Sequence, residues 1–359
     1  MIARLGGWNM ARMRNPRKEE IGEVFDLLDR VFQYERIGYS PERVREFFES
    51  IDESDVLVME EDGKIVSQVF MKPYRMHVCG AVLLGAEVGG VATDERYRGR
   101  GFASALLEEA VRRMVERGYD ISTLGGYRDR YARFGWERGG AMRVYAINGR
   151  SVRRAGDCSG VELRRYDPSD LEARRKVIWS YERNQVHAIR PEAEHRLTYD
   201  APTLSGMGTW IAESAGEFAY VVARRSRNGA SVSVLEHGGD PQTLVLALGR
   251  AFDEWKLDEA RITSPDWYTE FTPFLESVSE GWSVHPARQI NVLNLENCLR
   301  KLLPVTRSLA GEVLEEISRP YSVTLRNFET GQRATLLFDR GCELSDEDGE
   351  EELSLGRCG

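Results

Sequence analysis

"VATDERYRGRGFASALL", residues 91–107, sets three arginines (Arg96, Arg98, Arg100) and two glycines (Gly99, Gly101) where an apolar strand gives way to an apolar helix. A strand that ends in such a turn leaves the N–H groups of the first helical turn unpaired and aimed outward, with the positive end of the helix dipole behind them. Such a corner binds an anion, typically phosphate. The glycines admit a phosphate to the backbone without a Cβ in the way, and the arginines bring charge to a doubly anionic group, so a pyrophosphate is the expected ligand. The P-loop pattern GxxxxGK[ST] is absent, and Ser104 stands where the Rossmann GxGxxG needs its third glycine. What fits is R-x-x-G-x-G from Arg96 to Gly101.

Working outward, "DVLVME" (55–60), "IVSQVFMKPYRMHV" (65–78) and "AVLLGAEVGGVAT" (81–93) read as strands joined at Asp62-Gly63 and Cys79-Gly80. Glycines in "EVGGVAT" are unusual for a buried strand and suit a ligand backbone lying against it. Two helices precede the meander: "NPRKEEIGEVFDLLDRVF", with Asn15 as N-cap, and "SPERVREFFESI", capped by Ser40. From Phe102 the period changes to that of a helix, with Ala103, Leu107, Ala110, Val111 and Met114 on one face, Glu108/Arg112 and Glu109/Arg113 as surface pairs, and Gly118 as the stop. A strand "YDISTLGG", a short helix "YRDRYARF" and a strand "AMRVYAI" complete a first domain, residues 1–150.

"NGRSVRRAGDCSG" (148–160) reads as a linker. The pattern then restarts, and "TWIAESAGEFAYVVARR" (209–225) matches "DVLVMEEDGKIVSQVFM" (55–71) in strand, turn and strand, a degenerate internal duplication over 151–285. Its helix, "PQTLVLALGRAFDEWK", follows "LEHGGD", which has no arginine. A third segment, 286–359, is short for a domain, so its core is expected to lean on the other two.

The chain has 359 residues, 42% hydrophobic and 30% charged, with a net charge of -9. That balance excludes nonspecific nucleic-acid binding, which needs clustered cations. Seven acids between Glu343 and Glu352 read as a solvated loop. Five cysteines are scattered singly without CxxC, which points to a reducing compartment. With no apolar run of signal-peptide or membrane-spanning length, the expectation is a cytoplasmic protein without membrane partners. The five histidines lack ligand spacing, so no metal is expected.

The R-x-x-G-x-G loop, its Gly-rich strand and "YARFGWE" from Tyr131, similar to a Y-x-x-x-G-[FW] signature, together resemble the GCN5-related N-acetyltransferase (GNAT) superfamily. The resemblance implies an α/β fold of mixed sheets in tandem copies, with acetyl-CoA as co-substrate. It implies a cofactor site formed by Val91, Ala92, Thr93, Arg96, Arg98, Gly99, Arg100, Gly101 and Ala103. It further implies that the backbone at Val91 polarises the thioester and that Tyr131 protonates the departing thiolate; Tyr127 is the competing phenol. An active copy, a copy without the motif and a small C-terminal domain resemble the Eis-like (enhanced intracellular survival) acetyltransferases, whose third domain is like a sterol carrier protein and which often form hexamers. In that family the terminal carboxylate is the general base, here the α-carboxylate of Gly359; Glu87 is the alternative. The implied reaction is acetyl transfer to a primary amine, either a small molecule (aminoglycoside-like or polyamine) or a lysine-bearing peptide, by direct attack in a ternary complex. The competing reading is a non-catalytic acyl-CoA- or lipid-binding module.

Overall fold

The computed structural model describes residues 11–226, 228–267, 269–309, 320–327, 330–339, 341–349 and 351–355. The meander forms as its turns dictate: β1 (Arg12–Arg14), β2 (Val56–Glu61), β3 (Lys64–Val78) and β4 (Ala81–Thr93) are antiparallel neighbours. Helix Phe102–Glu116 then crosses over to β5 (Ile121–Leu124), which runs parallel to β4. Ala86 and Val88 of β4 bury with Leu106, Leu107, Ala110 and Met114 of that helix. On the opposite face, helices Ile21–Phe32 and Pro41–Glu49 cover Phe70 and Ala92. Ser40 caps the second of these, its Oγ accepting from Arg43 N at 3.4 Å. Asn15 is not a cap. Its side-chain amide donates to the carbonyls of Ser54 (3.0 Å) and Val56 (2.6 Å), and the helix begins only at Ile21, after a 3-10 turn.

The second half repeats the plan with β7 (Glu162–Arg165), β9 (Met207–Ser214), β10 (Glu217–Arg225) and β11 (Ser231–Gly239), helix Pro241–Trp255, and β12 (Glu259–Pro265) parallel to β11, while β8 (Val186–Ile189) pairs instead with β3 of the first half. Even the irregularities match, because one extra residue interrupts both the β3/β4 ladder, after Gln68, and the β10/β11 ladder, after Val222. The stretch expected as a linker is instead helix Gly149–Ala155. Asn148 caps it, and it buries Val152 and Ala155 beside helix Pro241–Trp255.

The last strand of each half has crossed to the other. β6 (Glu137–Ile147) pairs with β12, and β13 (Gly281–Val292) lies between β5 and β6, so all thirteen strands join in one sheet. The boundary expected at residue 285 falls inside β13. Pro286 suggests a break because it has no N–H to give a ladder, but it is paired opposite Ala141 in a β6 ladder whose register does not shift across it, and it precedes the contact with β5, which begins at Gln289.

A second, four-stranded sheet holds β14 (Tyr321–Asn327), β15 (Arg333–Phe338), β16 (Cys342–Ser345) and β17 (Glu351–Leu355). The acidic run is therefore not all loop: Glu343 lies in β16, and Glu351 and Glu352 lie in β17. Helix Leu295–Leu309 docks this segment on the first half, packing Cys298 and Leu302 on Leu83, Ile121 and Ile290. Asp120, fully buried, takes a hydrogen bond from Leu84 N (2.7 Å) and an ion pair from Lys301 Nζ (2.6 Å). No helix among the described residues is long and apolar enough to cross a membrane.

Candidate functional site

Two features open the sheet at the end of β4. Pairing with β5 stops at Val88↔Leu124, and Gly90, at φ 58°, forms the bulge opposite β3. From Gly89 to Thr93 the edge of β4 that faced β5 is released, and an extended ligand can add to such an edge as a strand does. The N–H of Asp94 bonds back to Val66 O at 2.9 Å, so alternation along the strand turns the Thr93 N–H toward the gap. Ala92 is held from below, its carbonyl accepting from Ser67 Oγ at 2.8 Å, and Val91 packs on the core under helix Phe102–Glu116. The bulge has a physical cause. A Cβ on Gly89 or Gly90 would run into Phe70 or Gln68, and Gln68 Nε2 donates to Gly90 O.

The arginine corner follows directly. Gly99 and Gly101 lie at φ 77° and 79°, with nothing near the position a Cβ would take. Gly101 stands at the N-cap of helix Phe102–Glu116 and offers no side-chain cap, so the N–H groups of the first turn, including that of Ala103, point into open space. The charge, however, is distributed differently from the expected cluster. Arg100 is bound by both nitrogens to Glu61 (2.6 Å each), whose side chain is 4% exposed, and Arg96 is paired with Asp94 (3.3 Å). Only Arg98 of the three lacks an ion pair among the described residues. A further cation enters from downstream, because Arg133 donates to Ser104 Oγ in the first turn of the same helix. Its signal was present in "YARFGWE" but is only legible once the fold sets that turn against residue 104.

Tyr131 closes the short helix Arg128–Tyr131 that follows β5. Its ring packs on Gly126, where a Cβ would come within 2.7 Å of Cε2, and burial raises the phenol's pKa above its ordinary value. Gly135 (φ 97°) closes the short helical segment and lets Trp136 sink fully into the core, where Nε1 donates to Ser122 Oγ at 3.2 Å. Tyr127 is instead 76% exposed. Glu87 faces away from helix Phe102–Glu116 and is paired at 2.9 Å with Arg288 of the exchanged strand. The Gly359 carboxylate lies outside the described residues.

Residues 12–139 match the family model described as an acetyltransferase (GNAT) domain. The chain carries a GNAT acetyltransferase domain. Enzymes of this family use acetyl-CoA as co-substrate and act on amine acceptors, and the protein is an acetyl-CoA-dependent acyltransferase. Solved structures similar to nearly the whole chain include a probable N-acyltransferase from Enterococcus faecalis V583 (TM-score 0.71, 16% identity, 96% of this chain and 87% of that one). A GCN5-related N-acetyltransferase from Kribbella flavida gives 0.63 at 17% identity (96% and 86%), and Eis1 from Mycobacterium abscessus 0.64 at 14% (96% and 87%). These likenesses establish the fold. No curated protein matches the chain by sequence.

The second half contrasts with the GNAT domain at the matching corner. There the helix is capped by Asp240, whose carboxylate accepts from Thr243 N at 2.7 Å and places negative charge where the GNAT domain leaves an open glycine. An anion is repelled from such an end. Near the β11 bulge, Glu236 takes Arg190 (2.5 Å), Tyr199 (2.8 Å) and Tyr220 (3.1 Å) into a buried network.

Proposed function

We propose that the protein transfers an acetyl group from acetyl-CoA to a primary amine by direct attack in a ternary complex. The observation that carries the reading is the released edge of β4, with the open helix start at one end and Tyr131 at the other. Gly99, Gly101, Ala103 and Arg98 would hold the pyrophosphate, with Arg133 beside them, and the backbone of Val91 to Thr93 would hold the pantetheine. Arg100 would have to leave Glu61 to take part, and Arg96 to leave Asp94. The amine nitrogen attacks the thioester carbon, the C–N bond forms and the C–S bond breaks. The nitrogen loses a proton to solvent, and sulfur takes one from Tyr131 to leave as the thiol. Burial of Tyr131 supports its role as the acid, because a phenol whose pKa is raised stays protonated at and above neutral pH. Glu87 is a poor candidate base while Arg288 holds it, so a water is the proton's first acceptor. By family likeness we extend the reading to a cytoplasmic homo-oligomer, a hexamer, with three domains of which the last is sterol-carrier-like.

The test is thiol release from acetyl-CoA with a panel of amines. Tyr131→Phe should lower kcat by roughly 10²–10⁴-fold with acetyl-CoA binding retained, the usual worth of a positioned acid. An unchanged kcat in Tyr131→Phe would remove the phenol from the mechanism. Binding of acetyl-CoA with no release for any amine would favour the binding-module reading.

A further inference from the structure

We propose that the acceptor amine also carries an anionic group, a carboxylate or a phosphate, held by Arg138 in a pocket that the exchanged strand completes. The proposal rests on the acetyl-transfer reading and names its substrate class. A cavity of about 370 Å³ opens between the end of β5, β6 and β13. Gly126 forms part of its wall and is also the surface on which the Tyr131 ring packs. An amine bound there therefore lies one residue from the proposed acid.

The lining decides what the cavity accepts. Arg128, Arg138 and Arg288 face it with one carboxylate, Glu87. Arg128 is held by both nitrogens on Glu137 (2.6 and 2.7 Å), and Arg288 is held on Glu87 (2.9 Å). The Arg138 side chain makes no ion pair or hydrogen bond among the described residues. In a chain of net charge -9, this wall has an excess of positive charge. Gln289 adds the complementary feature. It is 4% exposed, its Nε2 donates to Gly126 O at 2.5 Å, and its Oε1 is buried without a donor. Buried acceptors are normally partnered, and this one, in the pocket wall, has none. An unpaired guanidinium beside an unpartnered buried acceptor in the wall of one small pocket fits a molecule with an anion and an amine. With Arg128 and Arg288 already neutralised by Glu137 and Glu87, the unpaired Arg138 leaves the wall positive, which disfavours aminoglycosides and polyamines by like charge.

The experiment pairs amines that differ only in the anion: L-lysine against cadaverine for a carboxylate, O-phosphoethanolamine against ethanolamine for a phosphate. We expect kcat/KM in the thiol-release assay to favour the anion-bearing member of one pair at least tenfold, and which pair responds identifies the anion. Arg138→Ala should collapse that ratio through KM rather than kcat, and Arg138→Lys should restore part of it. Transfer that runs equally well without the anion, or a ratio untouched in Arg138→Ala, overturns the pocket assignment and leaves acetyl transfer standing. If no amine releases thiol, calorimetry on the CoA-loaded protein decides. Binding of lysine or phosphoethanolamine that is lost in Arg138→Ala upholds the pocket although turnover has failed. Tighter binding of spermidine, or no binding of either anion-bearing probe, overturns it.

Discussion

Replacing Asp120 by alanine tests whether a buried carboxylate, beside the apolar packing of Cys298 and Leu302, fastens the third segment to the first half. The side chain is fully buried and serves Leu84 N (2.7 Å), Asn297 Nδ2 and Lys301 Nζ (2.6 Å) at once. Its loss strands a strand N–H and a side-chain amide, each costing about 1–3 kcal/mol if left unpaired. The Lys301 ammonium is about one-third exposed, so water takes over part of its charge and the ion-pair share is discounted accordingly. The sum is about 3–5 kcal/mol. At roughly 2 °C per kcal/mol for a chain of this size, the first thermal transition should fall by roughly 6–10 °C. Asp120→Asn keeps an acceptor for Leu84 N and loses only the charge, so it should cost about 1–2 kcal/mol. Calorimetric melting of both variants is the assay. A Tm for Asp120→Ala within about 2 °C of the wild type would refute the reasoning, because desolvated donors could not then have been left behind.

Gly101→Val should raise KM for acetyl-CoA at least tenfold. Gly118→Val, at a similar φ (74° against 79°) and equally open at the other end of the helix, imposes the same strain of about 1–2 kcal/mol and should leave that KM alone; equal effects would show strain rather than obstruction. Burial pushes His237 down to about 4, so the unfolded chain, with its imidazole near 6.5, binds more protons between those values. The stability due to this group is complete above pH 6.5 and is lost as pH falls toward 4, about 3 kcal/mol in all. Melting at pH 7 and pH 4.5 should show His237→Gln losing less than the wild type, and an identical loss would sink the assignment. Cys79 is exposed, whereas burial pushes the Cys298 thiol up to about 11, so iodoacetamide at pH 7.5 should label Cys79 and spare Cys298 in the folded protein, as peptide mass spectrometry can read.

The meander and the crossover helix were legible because their signals are local: Asp-Gly and Cys-Gly turns, a change of period at Phe102, a glycine at 118. The duplication was legible for the same reason, twice over. The partners of charge were not. Nothing in "YRGRG" announces that Glu61, some forty residues upstream, will occupy Arg100, or that Arg133 will reach Ser104. Helix Gly149–Ala155 was hidden by a composition rich in glycine, serine and arginine, where the decisive groups were an Asn148 cap and two small apolar residues. The exchange of β6 and β13 was beyond periodicity altogether, because alternation places a residue on a face of a sheet but does not name the neighbouring strand.

That exchange also sets a timetable for synthesis. When the ribosome has released the first 150 residues, β6 has neither of its ladder partners, since both β12 and β13 are still untranslated. β5 likewise waits for Gln289 to Val292. The nascent first half is thus obliged to carry bare strand edges through more than a hundred further residues, the condition in which chains misassociate. The first half cannot complete its sheet without the second, because β6 needs β12 and β13 and β5 needs β13.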